Sequence, residues 1–344
     1  MEYVIKPLSR QEVIKAIEFG RPSRIPMVFT RWWGGGLGEQ YGDRLREFDK
    51  YPEDVVVIGF PCPSNTAAEN GFYWKLPNLT VEQTKKIGID TMSSLPDWSY
   101  LEDMLNNPPN TDAPGLFADA AKIAEQARRD GKYVLIMHWG LMFERIWGFR
   151  GMQNLLEDYI LEPKNVHKLH KLVADTEQKL LSRAIEEVKP DGYMHSDDLG
   201  GQQALMMGPA HFREFIMPYY KQVWSTARKA GVHVWLHTCG NVQEIIGDLI
   251  DCGLNVLHPI QKHTMDWNEV AAKWKGKIVF WVGMDVQHLL VEGTPDEVRE
   301  EVRQMVKIFN SPEGGMIFAS GNGIVGGTPF ENIDAYLDEC CKGL

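Results

Sequence analysis

The chain lacks several features that would place it quickly. Its 344 residues hold no apolar run near the eighteen or so that cross a bilayer, so a membrane-embedded protein is not expected. The first residues, MEYVIKPLSRQEV, lack the apolar core of a signal peptide. Cysteines are few and odd in number: Cys62, Cys239, Cys252, Cys340 and Cys341. That speaks against a disulfide framework and for a reducing cytoplasm. There is no basic block, and 36 basic against 47 acidic side chains leave a formal charge of −11. Nucleic acid and anionic membrane surfaces are therefore poor partners. No Gly-x-Gly-x-x-Gly follows the first strand candidate, no Walker motif occurs, and no repeat or linker divides the chain. One domain spanning 1–344 is expected.

What is present is a regular alternation. Apolar runs at 25–30, 54–60, 133–139, 192–196, 232–236, 255–257, 278–283 and 316–319 read as strands. Helical periodicity separates them, at Ala118–Arg129, 143–189, Pro209–Ala230, Val242–Cys252 and 296–309 among others. Continuous apolar strands mark parallel strands buried on both faces. Eight strand–helix units in one domain predict an α/β fold, a (β/α)8 TIM-type barrel. A helical segment at Ser9–Phe19 precedes it. A polar, aromatic, turn-rich stretch at about 64–98 reads as an insertion after the second strand. Pro218 is expected to kink its helix, and Thr328 to cap the last one.

In such a barrel the functional groups sit at the carboxyl ends of the strands. The richest end is VHVWLHTCGN, 232–241. His237 and Cys239 are i and i+2, so an extended backbone turns both to one side. Imidazole and thiolate are what zinc prefers, and a His/Cys site with an open position is a catalytic arrangement. The other strand ends supply Arg31, Cys62, His138, His195 with Asp197 and Asp198, Asp285 and Asn322; Glu144 follows the third strand. Adjacent Asp197 and Asp198 point apart in extended chain, so one can act while the other caps a helix or binds an arginine. Trp32, Trp33 and Trp139 are placed to line a pocket. His167, His170 and His211 read as helix-packing residues, and Cys340 and Cys341 as inert. Residue types and spacing alone reach a metal-assisted barrel enzyme.

Five stretches resemble one family. GRPSRIPMVFTRWWG (20–34) is similar to the opening segment of the uroporphyrinogen decarboxylase superfamily. FERIWGFRGMQNLL (143–156), HSDDLGGQQALMMGPAHFREFIMPYYKQ (195–222) and HTCGN (237–241) resemble its cobamide-dependent methyltransferase branch, the methylcobamide:coenzyme M methyltransferases. GNGIVGGTPFENI (321–333) resembles the family's closing motif. The resemblance implies zinc on His237 and Cys239. It implies methyl transfer between a small-molecule donor or acceptor and a corrinoid brought by a partner protein, since no corrinoid-binding Asp-x-His-x-x-Gly segment is present. Catalytic roles fall to Asp198, Glu144 and Arg31, with Trp32, Trp33 and His138 in the pocket. Two departures stand out. After Arg31 comes Trp32-Trp33-Gly34, and the second strand ends Phe60-Pro61-Cys62-Pro63 without the decarboxylases' aspartate, so uroporphyrinogen itself is not the expected substrate. The branch's zinc-completing cysteine is replaced by Asn322, leaving the third ligand to Asp198, Glu144, His195 or Cys62; Asp197 and Asp285 remain further pocket candidates. The alternatives are a decarboxylase or lyase acting on a carboxylated substrate, and a non-catalytic corrinoid- or tetrapyrrole-binding barrel. A homodimer is compatible with each.

Overall fold

The computed structural model describes residues 5–77 and 93–342. Residues 78–92, the middle of the expected insertion, lie outside the described residues. Seven strands form one all-parallel sheet in sequence order: β1 (Val55–Gly59), β2 (Tyr133–His138), β3 (Gly192–Ser196), β4 (His233–His237), β5 (Val256–His258), β6 (Val279–Gly283) and β7 (Met316–Ala319). An α/β sheet with all strands parallel and helices between them is consistent with a TIM-type barrel.

The first expected strand, 25–30, is not a strand. It makes one bridge, Met27 to Phe318. The segment nonetheless reaches both edges of the sheet. Val28 N donates to Phe318 O at 2.9 Å on the β7 side, and Asp54 N donates to Met27 O at 2.9 Å on the β1 side. The reason it fails as a strand is chemical. Pro26 has no N–H, Met27 N donates to the Asp54 carboxylate at 2.7 Å, and Phe29 N to the Glu53 carboxylate at 3.1 Å. Side chains have taken the donors a ladder needs.

Strand parity sorts the sheet's side chains into two cores. Val55, Tyr133, Leu135, Met194, Trp235, Val256, Val279, Trp281 and Ile317 pack with one another inside the curl. The intervening Ile58, Val134, Ile136, Tyr193, Val234, Leu236, Leu257 and Phe280 pack under the helices. A one-residue step along a strand thus moves a side chain from lumen to helix layer. The lumen is plugged at one end by Val13 and Ile17 of helix α1 (Arg10–Ile17), which Ser9 caps.

The helices that position the site are α2 (Leu37–Tyr41), α3 (Leu101–Asn106), α4 (Ala118–Arg129), α5 (Phe143–Arg150), α6 (Met152–Leu161) and α7 (Pro163–Glu187). Gly151, at φ 80°, separates α5 from α6, and Pro163 opens α7. The long helix expected at Pro209–Ala230 is interrupted. A π-helical stretch, Phe212–Ile216, joins Pro209–His211 to Met217–Lys229, called α8 below. The wider turn lies immediately before Pro218, whose missing N–H breaks the normal ladder. The last described helix is Phe330–Cys341 with Pro329 at its start, and the buried hydroxyl of Thr328 has no partner among the described residues, so Thr328 does not cap it. No described helix is long and apolar enough to cross a membrane.

Candidate metal centre

β4 ends with His237 pointing into the lumen, in phase with Trp235. The chain then turns through Thr238, Cys239 and Gly240. Gly240 has φ +82°, and a Cβ there would lie 2.1 Å from Gly200 O. Only glycine permits this close crossing of the β3 and β4 loops. The crossing sets Asp198 against the turn: its Oδ1 accepts the Cys239 N–H at 2.8 Å. His237 Nε2 lies 3.4 Å from Cys239 Sγ and 3.6 Å from Asp198 Oδ1. One donor atom from each of Asp198, His237 and Cys239 lies within 4.8 Å of the others.

Electrostatics favour a cation there. Burial lowers His237 to about 4, so its ring is neutral near pH 7. Burial, then the Asp198 carboxylate, pushes the Cys239 thiol well above its usual range. Without positive charge nearby the thiol stays protonated, and a divalent cation is what would make it a thiolate. His237 Nδ1 lies 2.7 Å from Nδ1 of His258, the last residue of β5. One of these nitrogens carries the proton. Placing it on His237 leaves Nε2 as a free lone pair facing Cys239 and Asp198. Asn322 Nδ2 donates to Cys239 Sγ at 3.3 Å. Trp32 and Trp139 both stand edge-on to His237, with ring centres at 5.4 Å, and wall the site.

The two adjacent aspartates have separate work. Asp197 is fully buried and accepts N–H bonds from Met142 at 2.7 Å and Glu144 at 2.8 Å, with Tyr220 Oη at 2.8 Å. It caps α5 from across the sheet, while Asp198 faces the lumen. Glu144, in the first turn of α5, accepts from Ser196 Oγ. Burial, then Asp197, pushes Glu144 up to about 8, which keeps it protonated near neutrality.

Four residues expected at the rim lie elsewhere: His138, His195, Cys62 and Arg31. His138 and His195 fall on the helix-layer parity. His195 Nε2 accepts from Trp224 Nε1 at 2.9 Å. His138 Nε2 is 2.9 Å from Glu177 Oε1 on α7, and Cys62 packs beside His138. Neither His195 nor Cys62 can reach the Asp198–His237–Cys239 group, and His138 does not face the lumen. Arg31 turns away as well: Nη2 donates to Tyr51 O at 2.6 Å and Nη1 lies 3.6 Å from Glu53. Trp33 packs on Phe48, with ring centres at 5.8 Å, instead of entering the pocket. Asp285 joins a separate group at the mouth. His258 was not anticipated. The sixth apolar run stops at Leu257, and His258-Pro259 directly after it is the sequence signal for this residue.

A cavity of about 610 Å³ opens over β4 to β7, with Cys239 and Asn322 on its inner side and Gln261, His263 and Asp285 on its outer side.

Residues 116–342 match the family described as Uroporphyrinogen decarboxylase (URO-D). The chain belongs to that family. Among curated proteins it is 27% identical over 199 residues to a uroporphyrinogen decarboxylase of Thermus thermophilus, covering 54% of this chain and 56% of the relative. It is 30% identical over 134 residues to methylcobamide:CoM methyltransferase MtaA of Methanosarcina barkeri, covering 38% of this chain and 36% of the relative. The chain therefore matches about half or less of these relatives' length. A solved structure of a methyltransferase from Methanosarcina mazei superposes with a TM-score of 0.66, over 97% of this chain and 98% of that one, at 16% identity. At that identity the likeness establishes the fold, and it runs the length of both chains. The curated relatives include a decarboxylase and a methyltransferase, so membership leaves the reaction to the site.

Proposed function

We propose that the chain is a corrinoid-linked methyltransferase, moving a methyl group between a small molecule and a corrinoid carried by a partner protein. In this reading Asp198, His237 and Cys239 hold a catalytic zinc ion. The observation that carries it is the convergence of those three donors in the lumen. Four-coordinate zinc, with bonds of about 2.0–2.3 Å, needs its ligands roughly 3.3–3.8 Å apart. The His237–Cys239 and His237–Asp198 separations of 3.4 and 3.6 Å fit that requirement. Asp198 thus stands in for the cysteine that Asn322 replaces. Three protein ligands and one open position are the catalytic form of zinc, which lowers the pKa of a bound thiol, alcohol or water.

The chain's own groups have consistent tasks. His258 fixes the His237 ring. Asn322 holds the sulfur from the other side. Glu144, protonated near neutrality, is placed to hold or give a proton at its carboxyl oxygen. Trp32 and Trp139 exclude water from one flank, and the 610 Å³ cavity leaves room for a small substrate and an approaching macrocycle. The MtaA relative, which is named as a methylcobamide:CoM methyltransferase, supports the same class. The alternative, a lyase acting on a carboxylated substrate, needs Arg31 as a carboxylate clamp, and Arg31 is committed to Tyr51 and Glu53.

Metal analysis of protein purified without chelator, beside Cys239→Ser, is the direct test. Stoichiometric zinc in the parent and a marked loss in the variant are expected; equal zinc in both would sink the reading. Demethylation of methylcobalamin by a panel of thiols, and methylation of cob(I)alamin by a panel of methoxy compounds, then separate a methyltransferase from a lyase or a binding barrel.

A further inference from the structure

The loops after β5 and β6 bring together two histidines and an aspartate that the proposed function does not use. His263 Nε2 lies 2.9 Å from Asp285 Oδ2, and His288 Nδ1 lies 3.3 Å from the same oxygen. The three donor atoms lie within 4.8 Å of one another. The two rings meet edge to face, with centres 4.8 Å apart.

We propose that His263, Asp285 and His288 form a second metal site, at the mouth of the cavity, for a borderline divalent transition ion such as zinc or cobalt(II). Three features support it. Two ring nitrogens from different loops converge on one carboxylate oxygen, whereas a simple hydrogen-bonded pair needs only one. The separations of 2.9 and 3.3 Å lie in the span set by ligands about 2.0–2.2 Å from a shared ion, which stand roughly 2.8–3.1 Å apart at a right angle and roughly 3.3–3.6 Å apart at the tetrahedral angle. The carboxylate is held in advance: Asp285 Oδ1 accepts the N–H groups of Gln287 at 2.9 Å and His288 at 3.2 Å, and its side chain is only 5% exposed. Both imidazoles reach the surface, so an ion can enter and keep open positions.

The site is also joined to the inner one. Gln261 Oε1 accepts from Gly240 N at 3.0 Å, and Gln261 Nε2 donates to Gln287 Oε1 at 3.2 Å. This chain runs from the residue after Cys239 to the residue before His288. Cys239 and Asp285 line the same cavity. With two neutral imidazoles and one carboxylate, a divalent ion leaves the mouth carrying positive charge. A ligand held there would bear an anionic or electron-rich group at one end while its other end reaches Cys239. The mouth site does not depend on zinc at Cys239.

The test uses the full chain, stripped with chelator and titrated with cobalt(II) and with zinc. The parent should take about two ions per chain. The double variant His263→Ala, His288→Ala should take about one and keep the thiolate-to-cobalt charge-transfer band. Cys239→Ser should also take about one, without that band. Circular dichroism and Tm of a second pair, His263→Gln with His288→Gln, check that loss of metal is not loss of fold. Unchanged stoichiometry and affinity in both double variants would overturn the mouth site. Unchanged binding in Cys239→Ser would overturn the inner site instead, so the two failures are distinguishable.

Discussion

In the proposed centre Asn322 is a side chain that would tune the site without joining it. Its Nδ2 points at Cys239 Sγ from 3.3 Å. An amide N–H cannot ligate a cation, but it can stabilise sulfur's negative charge and hold its direction. We expect Asn322→Ala to weaken zinc affinity by about tenfold or more, the usual effect of losing a group behind a ligand. Competition with a zinc-binding dye would measure it. Asn322→Cys should move the other way, since a thiolate there adds a true ligand. If both substitutions leave affinity unchanged, Asn322 has no part in the centre. Asp197 teaches the complementary lesson. It is adjacent to Asp198 and chemically identical, yet it spends both oxygens on the start of α5.

At the scale of elements, α6, α7 and α8 meet around His170. The ring is fully buried and lies nearly parallel to Tyr159 and Tyr219, with centres at 6.3 and 5.4 Å. Nδ1 faces Val166 O at 3.0 Å, and Nε2 has no partner among the described residues. A second proton would put an unpaired cation in an apolar seam, so burial lowers His170 to about 3. The unfolded chain takes that proton near the ordinary value of about 6.5. The native state resists it. This contribution to stability is therefore present above about pH 6.5 and is lost as pH falls toward about 3, by roughly 1.4 kcal/mol per pH unit. His170→Phe keeps a ring in the stack and removes the titration. We expect its loss of unfolding free energy between pH 6.5 and 4.5 to be smaller than the parent's by about 2–3 kcal/mol, measured with urea. Identical losses would show that His170 does not titrate in this way.

For the whole molecule, the seam between the last and first strands matters most. Asp54 is the knot in it. Wholly buried, it accepts from Leu8 N at 2.6 Å, from Met27 N at 2.7 Å and from Arg24 through Nη1 at 2.7 Å and Nη2 at 2.8 Å. Trp281 Nε1 adds a bond to Val28 O at 2.9 Å across the lumen. Removing one partner of such a buried pair strands the other and the backbone donors. We expect Asp54→Ala to cost about 3–5 kcal/mol, read by urea or thermal unfolding. The loss should fall on the seam, with faster amide exchange at Met27 and Val28 than in β3 or β4. A change below about 0.5 kcal/mol would mean the seam is held elsewhere.

Much of this was legible in the chain itself. Seven continuous apolar runs became seven parallel strands because a strand buried on both faces must be apolar throughout, and that pattern survives without tertiary information. The pairing of His237 with Cys239 was readable for the same local reason, the i, i+2 geometry of an extended end. What the sequence could not decide was phase and reach. Whether His138 and His195 face lumen or helix layer depends on the strand's rotation, which only the packed sheet sets. Whether Asp197 or Asp198 meets Cys239 depends on the crossing of two loops at Gly200 and Gly240. His263 comes from the loop after β5, and Asp285 and His288 from the loop after β6, and only the neighbouring positions of β5 and β6 bring them to one point. Local order follows from residue pattern; the choice of which equivalent residue acts belongs to long-range packing.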